Sequence, residues 1–184
     1  MQAMAESIQL HDKSFNIFIE EKDLLAKIDV LAAYINQEYE SITPLFLVVL
    51  NGAFMFASDL IGRYKGPCRL AFVSIRSYQG MKSSGKVNVS GLDPEAVRDQ
   101  EVIIIEDIID SGRTLHEFML ILKNMGPKSV KIATLLSKPG ALQFPIPVSY
   151  CGFEISDEFV VGFGLDYDGL GRNLRDIYQV VSDT

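Results

Sequence analysis

The chain has little cysteine and no long hydrophobic run. Its two cysteines, Cys68 and Cys151, lack the close spacing of a metal-binding pair and adjoin apolar, strand-like sequence. We therefore expect buried free thiols in a reducing compartment. No apolar run reaches the length of a membrane-spanning helix, about 18 residues. The N-terminus also lacks the basic segment followed by an apolar segment that marks a secretion signal. These absences predict a cytoplasmic protein with no membrane partner.

Basic residues are fewer than acidic ones. The chain has 17 lysines and arginines against 24 aspartates and glutamates, a net charge of −7. This balance argues against a nucleic-acid-binding surface, although a local basic pocket is compatible with it. A length of 184 residues, 48% of them hydrophobic, is typical of one globular domain with a sizeable core. We expect a single domain over residues 1–184.

The stretch from Val102 to Thr114 reads Val-Ile-Ile-Ile-Glu-Asp-Ile-Ile-Asp-Ser-Gly-Arg-Thr. Its first four apolar residues, 102–105, predict a strand buried on both faces. An acid pair, Glu106 and Asp107, follows directly. Helical spacing then runs from Leu115 to Met125 and ends at glycine and proline. The pattern is strand, turn, helix.

The turn from Asp110 to Thr114 has the residue types that bind a phosphate at the start of a helix. Helix amides favour an anion, Gly112 permits close approach of the backbone, Ser111 and Thr114 can donate hydrogen bonds, and Arg113 adds charge. The preceding acid pair would repel a bare phosphate, so it is expected to face sugar hydroxyls or a divalent cation. A ligand with a 5-phosphate and a ribose satisfies both halves. Taken alone, the turn is equally compatible with acids that only cap the helix.

Strand and helix patterns alternate along the rest of the chain. Apolar runs predict strands at 45–50, 69–75 and 130–136, a shorter one follows from the alternation of Phe15, Ile17 and Ile19, and helical spacing occupies 21–39 and 53–61. Residues 1–13 are expected to be loosely held, and the polar segment 77–91 to be a mobile loop that is strand-like in part. This alternation predicts an α/β fold with a parallel sheet covered by helices on both faces. Ligands in such sheets bind at the carboxyl ends of the strands.

Residues Glu106 to Thr114 resemble the phosphoribosyl diphosphate (PRPP) motif of the type I phosphoribosyltransferase family. The resemblance extends from about Leu45 to Val180 and is strongest to the hypoxanthine-guanine branch. It implies a central, mostly parallel sheet flanked by helices, a small hood and a flexible loop. It also implies transfer of the 5-phosphoribosyl group from PRPP to a 6-oxopurine, giving IMP or GMP and pyrophosphate with Mg²⁺. Hypoxanthine is the expected base, followed by guanine and then xanthine, and the family commonly forms homodimers or homotetramers.

The resemblance also implies a role for each site residue. Asp110 would be the general base, Glu106 and Asp107 would hold the ribose hydroxyls and the metal, and Ser111, Gly112, Arg113 and Thr114 would hold the 5-phosphate. Pyrophosphate would contact Asn51, Gly52, Ser77, Tyr78 and Arg172. Lys138 would read the purine oxygen, Phe159 would stack on the ring, the Val160 backbone would read its edge, and Asp166 would lie near the purine, the metal and the pyrophosphate.

Several of these segments have simpler interpretations by themselves. Asn51-Gly52 is compatible with a tight turn, which the resemblance replaces by a loop with a cis peptide at Leu50–Asn51. Lys138 could extend from a strand end to solvent, and Phe159 could be a core residue. Many family members carry lysine at the position of Asn51, so that side chain cannot supply the usual charge. A regulatory protein of the same fold, which binds PRPP or a nucleotide without turnover, remains the alternative function.

Overall fold

The computed structural model describes residues 7–77 and 87–181. The following strands and helices lie within those ranges, in chain order: β1 (Ser7–Leu10), β2 (Lys13–Ile19), α1 (Glu21–Glu38), β3 (Leu45–Leu50), α2 (Phe54–Gly62), β4 (Arg69–Ser77), β5 (Val87–Ser90), α3 (Pro94–Val97), β6 (Glu101–Ile109), α4 (Arg113–Lys123), β7 (Ser129–Ser137), β8 (Tyr150–Glu154), β9 (Val160–Val161) and β10 (Ile177–Val180). Among these described helices, none has the length and apolar character needed to cross a membrane.

Six strands form the central sheet in the order β5-β4-β3-β6-β7-β8. All neighbours pair in parallel except β5, which runs antiparallel to β4 at one edge. Residues 45–48 of β3 lie opposite residues 102–105 of β6, and each of these side chains is at most 2% exposed. These paired stretches, residues 45–48 and 102–105, are apolar throughout because both faces of the sheet are covered there. The predicted α/β fold with a mostly parallel sheet is confirmed.

Different helices cover the two faces of the sheet. Phe46 and Ile103 point into a core cluster that contains buried residues of α1 and α2. Their sequence neighbours Leu47 and Ile104 point into a second cluster, which contains the buried residues of α4. Because side chains alternate along a strand, one apolar run serves both layers.

A smaller antiparallel sheet, β1-β2-β10-β9, forms the hood. Phe15 of β2 lies opposite Val180 of β10, and Val161 of β9 lies opposite Tyr178. Phe15, Val161 and Tyr178 form the buried centre of this sheet. The hood therefore joins segments from opposite ends of the described chain.

Three sequence predictions need correction at their boundaries. β6 continues past Ile105 to Ile109, so Glu106 and Asp107 are strand residues and do not belong to the turn. α4 begins at Arg113 and not at Leu115, which brings the helix start closer to the glycine. The expectation that residues 1–13 are loosely held is wrong for Ser7–Leu10, which pair with β2.

Candidate active site

The strand order reverses between β3 and β6. The connection after β3 leads to β4 on one side, whereas β6 leads to β7 on the other. The loops that follow β3 and β6 therefore diverge and open a cleft at the carboxyl ends of these strands, where ligands bind in such sheets. The cleft has a volume of about 250 Å³, and its lining includes Gly52, Glu106 and every residue from Asp110 to Leu115.

The turn between β6 and α4 presents backbone amides to this cleft. Gly112 precedes the helix with a φ of +74°, a left-handed conformation that favours glycine. The His116 N–H donates to the Gly112 carbonyl, so the amides before it in the first turn lack a helical partner. A phosphate group would accept their hydrogen bonds and would be favoured by the helix dipole.

Gly112 is also required by packing against residues 142–146. A Cβ at Gly112 would lie 2.9 Å from Cγ1 of Ile146 and 3.1 Å from the carbonyl oxygen of Phe144. The Gln143 N–H donates to the Ser111 carbonyl at 2.9 Å. The 142–146 segment therefore occupies the space that a Cβ at Gly112 would need, whereas the backbone of Gly112 lines the cleft. This segment supports the phosphate turn from outside the cleft.

Glu106 and Asp107 form a coupled pair of carboxyl groups. Burial, together with the neighbouring Asp107 charge and a hydrogen bond between the two side chains, raises the pKa of Glu106 well above its usual range. Burial also raises the pKa of Asp107, although hydrogen bonds from Glu106 and the Ile108 N–H and the positive charge of Arg172 oppose that rise. Burial thus favours the protonated form of Glu106 more strongly than that of Asp107.

This carboxyl pair suits Mg²⁺ that arrives with a phosphate-bearing substrate. Magnesium is usually held by one or two carboxylates together with substrate phosphates and water. Over residues 7–77 and 87–181, no group of three or more His, Cys, Asp or Glu side chains is arranged to hold a metal unaided. The donor set therefore fits a metal shared with substrate, held by Glu106 and Asp107.

Close backbone packing joins the loop after β3 to Asp107 and to the hood. A Cβ at Gly52 would lie 1.5 Å from Oδ2 of Asp107, and a Cβ at Gly164 would lie 2.0 Å from the Gly52 carbonyl oxygen. Only glycine fits at either position without displacing its neighbour. The peptide bond between Leu50 and Asn51 is cis, as the resemblance implied.

Arg172 lies on the hood side of this contact. Its Nη1 donates to the Gly164 carbonyl at 2.8 Å, and its Nη2 lies 2.6 Å from Oδ1 of Asp166. Because Gly164 packs on Gly52, the guanidinium is brought near the loop that follows β3. Asp166 is engaged by Arg172 and also accepts from the Gly169 N–H.

Lys138 follows the last residue of β7, and its side chain is only 7% exposed. Its backbone N–H donates to the Ile109 carbonyl at the end of β6. Its Nζ lies 3.5 Å from Oδ2 of Asp110 and 3.4 Å from Oδ1 of Asp157. Lys138 therefore does not extend into solvent. The two carboxylates supply the acceptors that a buried ammonium needs.

Phe159 precedes β9 and is 43% exposed. Its ring packs edge-on against Tyr167, with 5.6 Å between centroids, and lies 6.2 Å from the ring of Phe15. The adjacent Val160 is buried and lies opposite Gln179 of β10. The hood therefore holds Phe159 by its edge and leaves part of the ring accessible.

Most of the chain matches one known protein family. Residues 19–168 match the model of the phosphoribosyl transferase domain. The chain belongs to this phosphoribosyltransferase family. The matched range contains the whole central sheet and the turn that starts α4.

Individual phosphoribosyltransferases agree with this assignment. The chain is 40% identical to hypoxanthine phosphoribosyltransferase of Haemophilus influenzae, over 90% of this chain and 95% of that protein. The crystal structure of a hypoxanthine phosphoribosyltransferase from Staphylococcus aureus superposes with a TM-score of 0.84 at 34% identity, covering 90% of this chain and 91% of that one. The chain is also 41% identical over 90% of its length to the bifunctional protein TilS/HprT of Listeria innocua, but it spans only 26% of that longer protein.

The predicted site residues of this phosphoribosyltransferase fall into two groups. Gly52, Glu106, Asp110 and residues 111–114 line the cleft, and Asp107 packs on Gly52. Arg172, Asp166, Phe159 and Val160 belong to the hood side, and Lys138 is tied to the cleft through Asp110. The backbone of Ser77 ends β4. Tyr78 and the segment Ser83–Lys86, which were expected to form the flexible loop, lie outside the described residues.

Two features were missed by the sequence reasoning. The 142–146 segment carried no motif, because its contact with Ser111 and Gly112 joins residues far apart in the chain. Asp157 was also overlooked, although an acid between β8 and the Phe159 segment could have been paired with a lysine that ends the neighbouring strand. The sequence shows that the two residues have opposite charges but not that Lys138 Nζ and Asp157 Oδ1 lie close together.

Proposed function

We propose that this chain transfers the 5-phosphoribosyl group of PRPP to a 6-oxopurine and releases pyrophosphate. Hypoxanthine is the first substrate and guanine the second, giving IMP or GMP in a purine salvage reaction. The contact between Lys138 Nζ and Asp110 Oδ2, at 3.5 Å, carries this proposal. It joins a lysine suited to a purine oxygen directly to the acid that begins the phosphate turn.

The phosphoribosyl end of PRPP would lie in the cleft. Residues Ser111 to Thr114 hold the 5-phosphate through the amides and hydroxyls at the start of α4, with Arg113 balancing charge. Glu106 and Asp107 accept hydrogen bonds from the ribose hydroxyls and hold Mg²⁺ together with the substrate. When bound, Mg²⁺ would supply positive charge to the pyrophosphate leaving group. Asp166, which is paired with Arg172, would help to hold the same metal.

The pyrophosphate would face the loop after β3. Its contacts would be the amides around Asn51 and Gly52, Arg172 from the hood, and Ser77 and Tyr78 at the end of β4 and after it. Asn51 supplies no charge, so Arg172 carries more of the electrostatic stabilisation here than in relatives with lysine at this position.

The purine would stack on Phe159, with its edge read by the Val160 backbone and its 6-oxo group on Lys138. Adenine cannot accept that hydrogen bond through its amino group, so the contact selects oxopurines. Asp110, whose carboxylate is accessible, removes the proton at N7 as the purine attacks the anomeric carbon.

The alternative of a regulatory protein that binds PRPP without turnover is disfavoured. The relatives reported above are phosphoribosyltransferases by name, and the chain retains Asp110 and Lys138 in contact with one another. Nucleotide formation decides between the two. With PRPP, Mg²⁺ and each purine in turn, the enzyme is expected to form IMP from hypoxanthine and GMP from guanine. PRPP binding without product from any purine would favour the regulatory protein.

We further propose a cytoplasmic, homo-oligomeric protein of one domain over residues 1–184. Cys68 and Cys151 are both free thiols, partly rather than fully buried, and burial raises the pKa of each thiol. Leu70 and Phe72, which share one face of β4, are about half exposed and suit a subunit contact. Light scattering after gel filtration tests the oligomeric state. A dimer or tetramer is expected, and a monomer would contradict the proposed subunit contact.

A further inference from the structure

Asp157 contacts the lysine that reads the purine but has no part in the proposed reaction. We propose that Asp157 is a positioning residue, which holds the Lys138 ammonium between two carboxylates so that its third N–H faces the 6-oxo group of the purine. The geometry is nearly symmetrical, because Nζ lies 3.4 Å from Oδ1 of Asp157 and 3.5 Å from Oδ2 of Asp110. This inference rests on the proposed function.

The burial of the three groups supports this role. The side chain of Lys138 is 7% exposed, whereas those of Asp110 and Asp157 are 56% and 72% exposed. An ammonium has three donors, and the two carboxylates account for two of them. Both distances exceed the roughly 2.7–2.9 Å of a tight charge-assisted hydrogen bond. The ammonium is therefore shared between the carboxylates, and a third acceptor can join it without breaking a short contact.

The backbone fixes this arrangement from two sides. Lys138 donates its N–H to Ile109 of β6, and Ile155 donates its N–H to Ser137 of β7 at 2.8 Å. Asp157 follows this anchored, buried Ile155 and precedes Phe159 in the same short segment. One segment therefore sets both the charge beside Lys138 and the aromatic face for the purine.

Asp157 also keeps the ammonium from pairing with Asp110 alone. If Asp157 were lost, the nearest carboxylate to Nζ would be that of Asp110, and the lysine would move toward it. Such a move would take the donor away from position 6 of the purine and would tie up the carboxylate that must accept a proton. Purine binding and oxopurine selection should therefore suffer, while the contacts to PRPP stay in place.

Steady-state kinetics of Asp157→Ala and Asp157→Asn test this role, with Glu154→Gln as the control. Glu154 is an exposed carboxylate at the end of β8, so the control removes the same charge from the same segment. For Asp157→Ala we expect the KM for hypoxanthine to rise about 3- to 10-fold, because the lost partner of the ammonium is charged but solvent-screened. The KM for PRPP should stay within about twofold of the parent value, and the preference for hypoxanthine over adenine should fall. Asp157→Asn keeps the Oδ1 acceptor and should shift hypoxanthine binding in the same direction by less.

An unchanged KM for hypoxanthine in Asp157→Ala, or equal losses for hypoxanthine and PRPP, would overturn the role. A loss of the same size in Glu154→Gln would do so as well, since it would show a general charge effect. If Asp157→Ala does not fold, Asp157→Asn is judged by the same split between the two substrates. An inactive parent would refute the proposed function and this inference with it, whereas an active parent with unchanged variants refutes the inference alone.

Discussion

The charged residues of the site are held by one another before any ligand binds. Burial and the neighbouring Asp107 raise the pKa of Glu106, Lys138 lies between two carboxylates, and Arg172 is paired with Asp166. These pairings keep buried or half-buried charges satisfied. A substrate that binds Arg172 must replace the contact with Asp166, whereas Lys138 keeps a third N–H for the purine. In both cases, changing the acidic partner should alter the affinity for the substrate group that the basic residue binds.

Asp110→Asn should lower turnover while leaving PRPP binding nearly intact. An amide cannot take the purine proton, and loss of a general base typically costs about 10²–10⁴-fold in rate. The amides that hold the 5-phosphate follow Asp110 and remain in place. We would measure kcat with hypoxanthine and PRPP affinity by calorimetry, with Asp23→Asn on α1 as the matched control. Turnover at the parent rate would show that another group accepts the proton.

Lys138→Met should reduce the preference for hypoxanthine over adenine. The ammonium is the donor that an oxo group accepts and an amino group cannot, so its loss removes the basis of selection. The quantity to compare is the ratio of kcat/KM for the two bases in parent and variant. We expect the ratio to fall by about tenfold or more, as for the loss of a charged hydrogen bond. A ratio that stays high would mean that another group reads position 6.

At the scale of elements, the site depends on strands and turns that local pattern predicts unequally. The apolar runs of β3, β6 and β7 were predictable because strands buried on both faces are rich in apolar residues. The extension of β6 through Glu106 and Asp107 was not, since two acids resemble the start of a turn. They remain in the strand because β6 still pairs there with β7, with Glu106 opposite Thr134.

Gly112→Ala should destabilise the fold more than Gly126→Ala. The two glycines have nearly the same φ, +74° and +73°, so the cost of the left-handed backbone, about 1–2 kcal/mol, is common to both. A Cβ at Gly126 meets nothing within 4 Å, whereas one at Gly112 meets Ile146 at 2.9 Å. Overpacking should add about 1–3 kcal/mol at Gly112 alone.

The free energy of unfolding of both variants, measured in urea, checks this difference. The KM for PRPP should also rise in Gly112→Ala, because the phosphate turn moves with its support, and should stay at the parent value in Gly126→Ala. Equal destabilisation would show that the 142–146 segment yields easily and does not support the turn.

At the scale of the whole molecule, the fold brings together residues that no local pattern connects. The hood pairs β2 with β10, so Phe15 meets Val180, and a sequence can indicate the strand at Phe15 but not that partner. The same holds for Arg172, which reaches the loop after β3 through Gly164. The resemblance implied the hood, and its pyrophosphate role for Arg172 stays a prediction, whereas periodicity alone predicted the central sheet, its helices and the strand at Phe15.

The core should make the protein sensitive to alkaline pH through Tyr39 at the end of α1. Burial, followed by the nearby charge of Glu101 and by Tyr64, raises the pKa of Tyr39 from 10.0 to about 12. Between these values the unfolded chain loses a proton that the folded chain keeps, so the free energy of unfolding falls as pH rises. Tyr39→Phe should reduce that fall, whereas Tyr34→Phe, at an exposed position of the same helix, should not. Urea denaturation at pH 9 and pH 11 measures the effect, and an equal fall in both variants would contradict it.

The most direct test of the proposed site is a crystal structure of the protein with IMP bound. The account predicts that the 5-phosphate lies against the amides of residues 111–114, that the ribose hydroxyls face Glu106 and Asp107, and that the purine stacks on Phe159 with its 6-oxo group on Lys138 Nζ. A phosphate bound away from the start of α4, or a purine oxygen out of reach of Lys138, would contradict the claim that the Asp110–Lys138 contact joins the two halves of the active site.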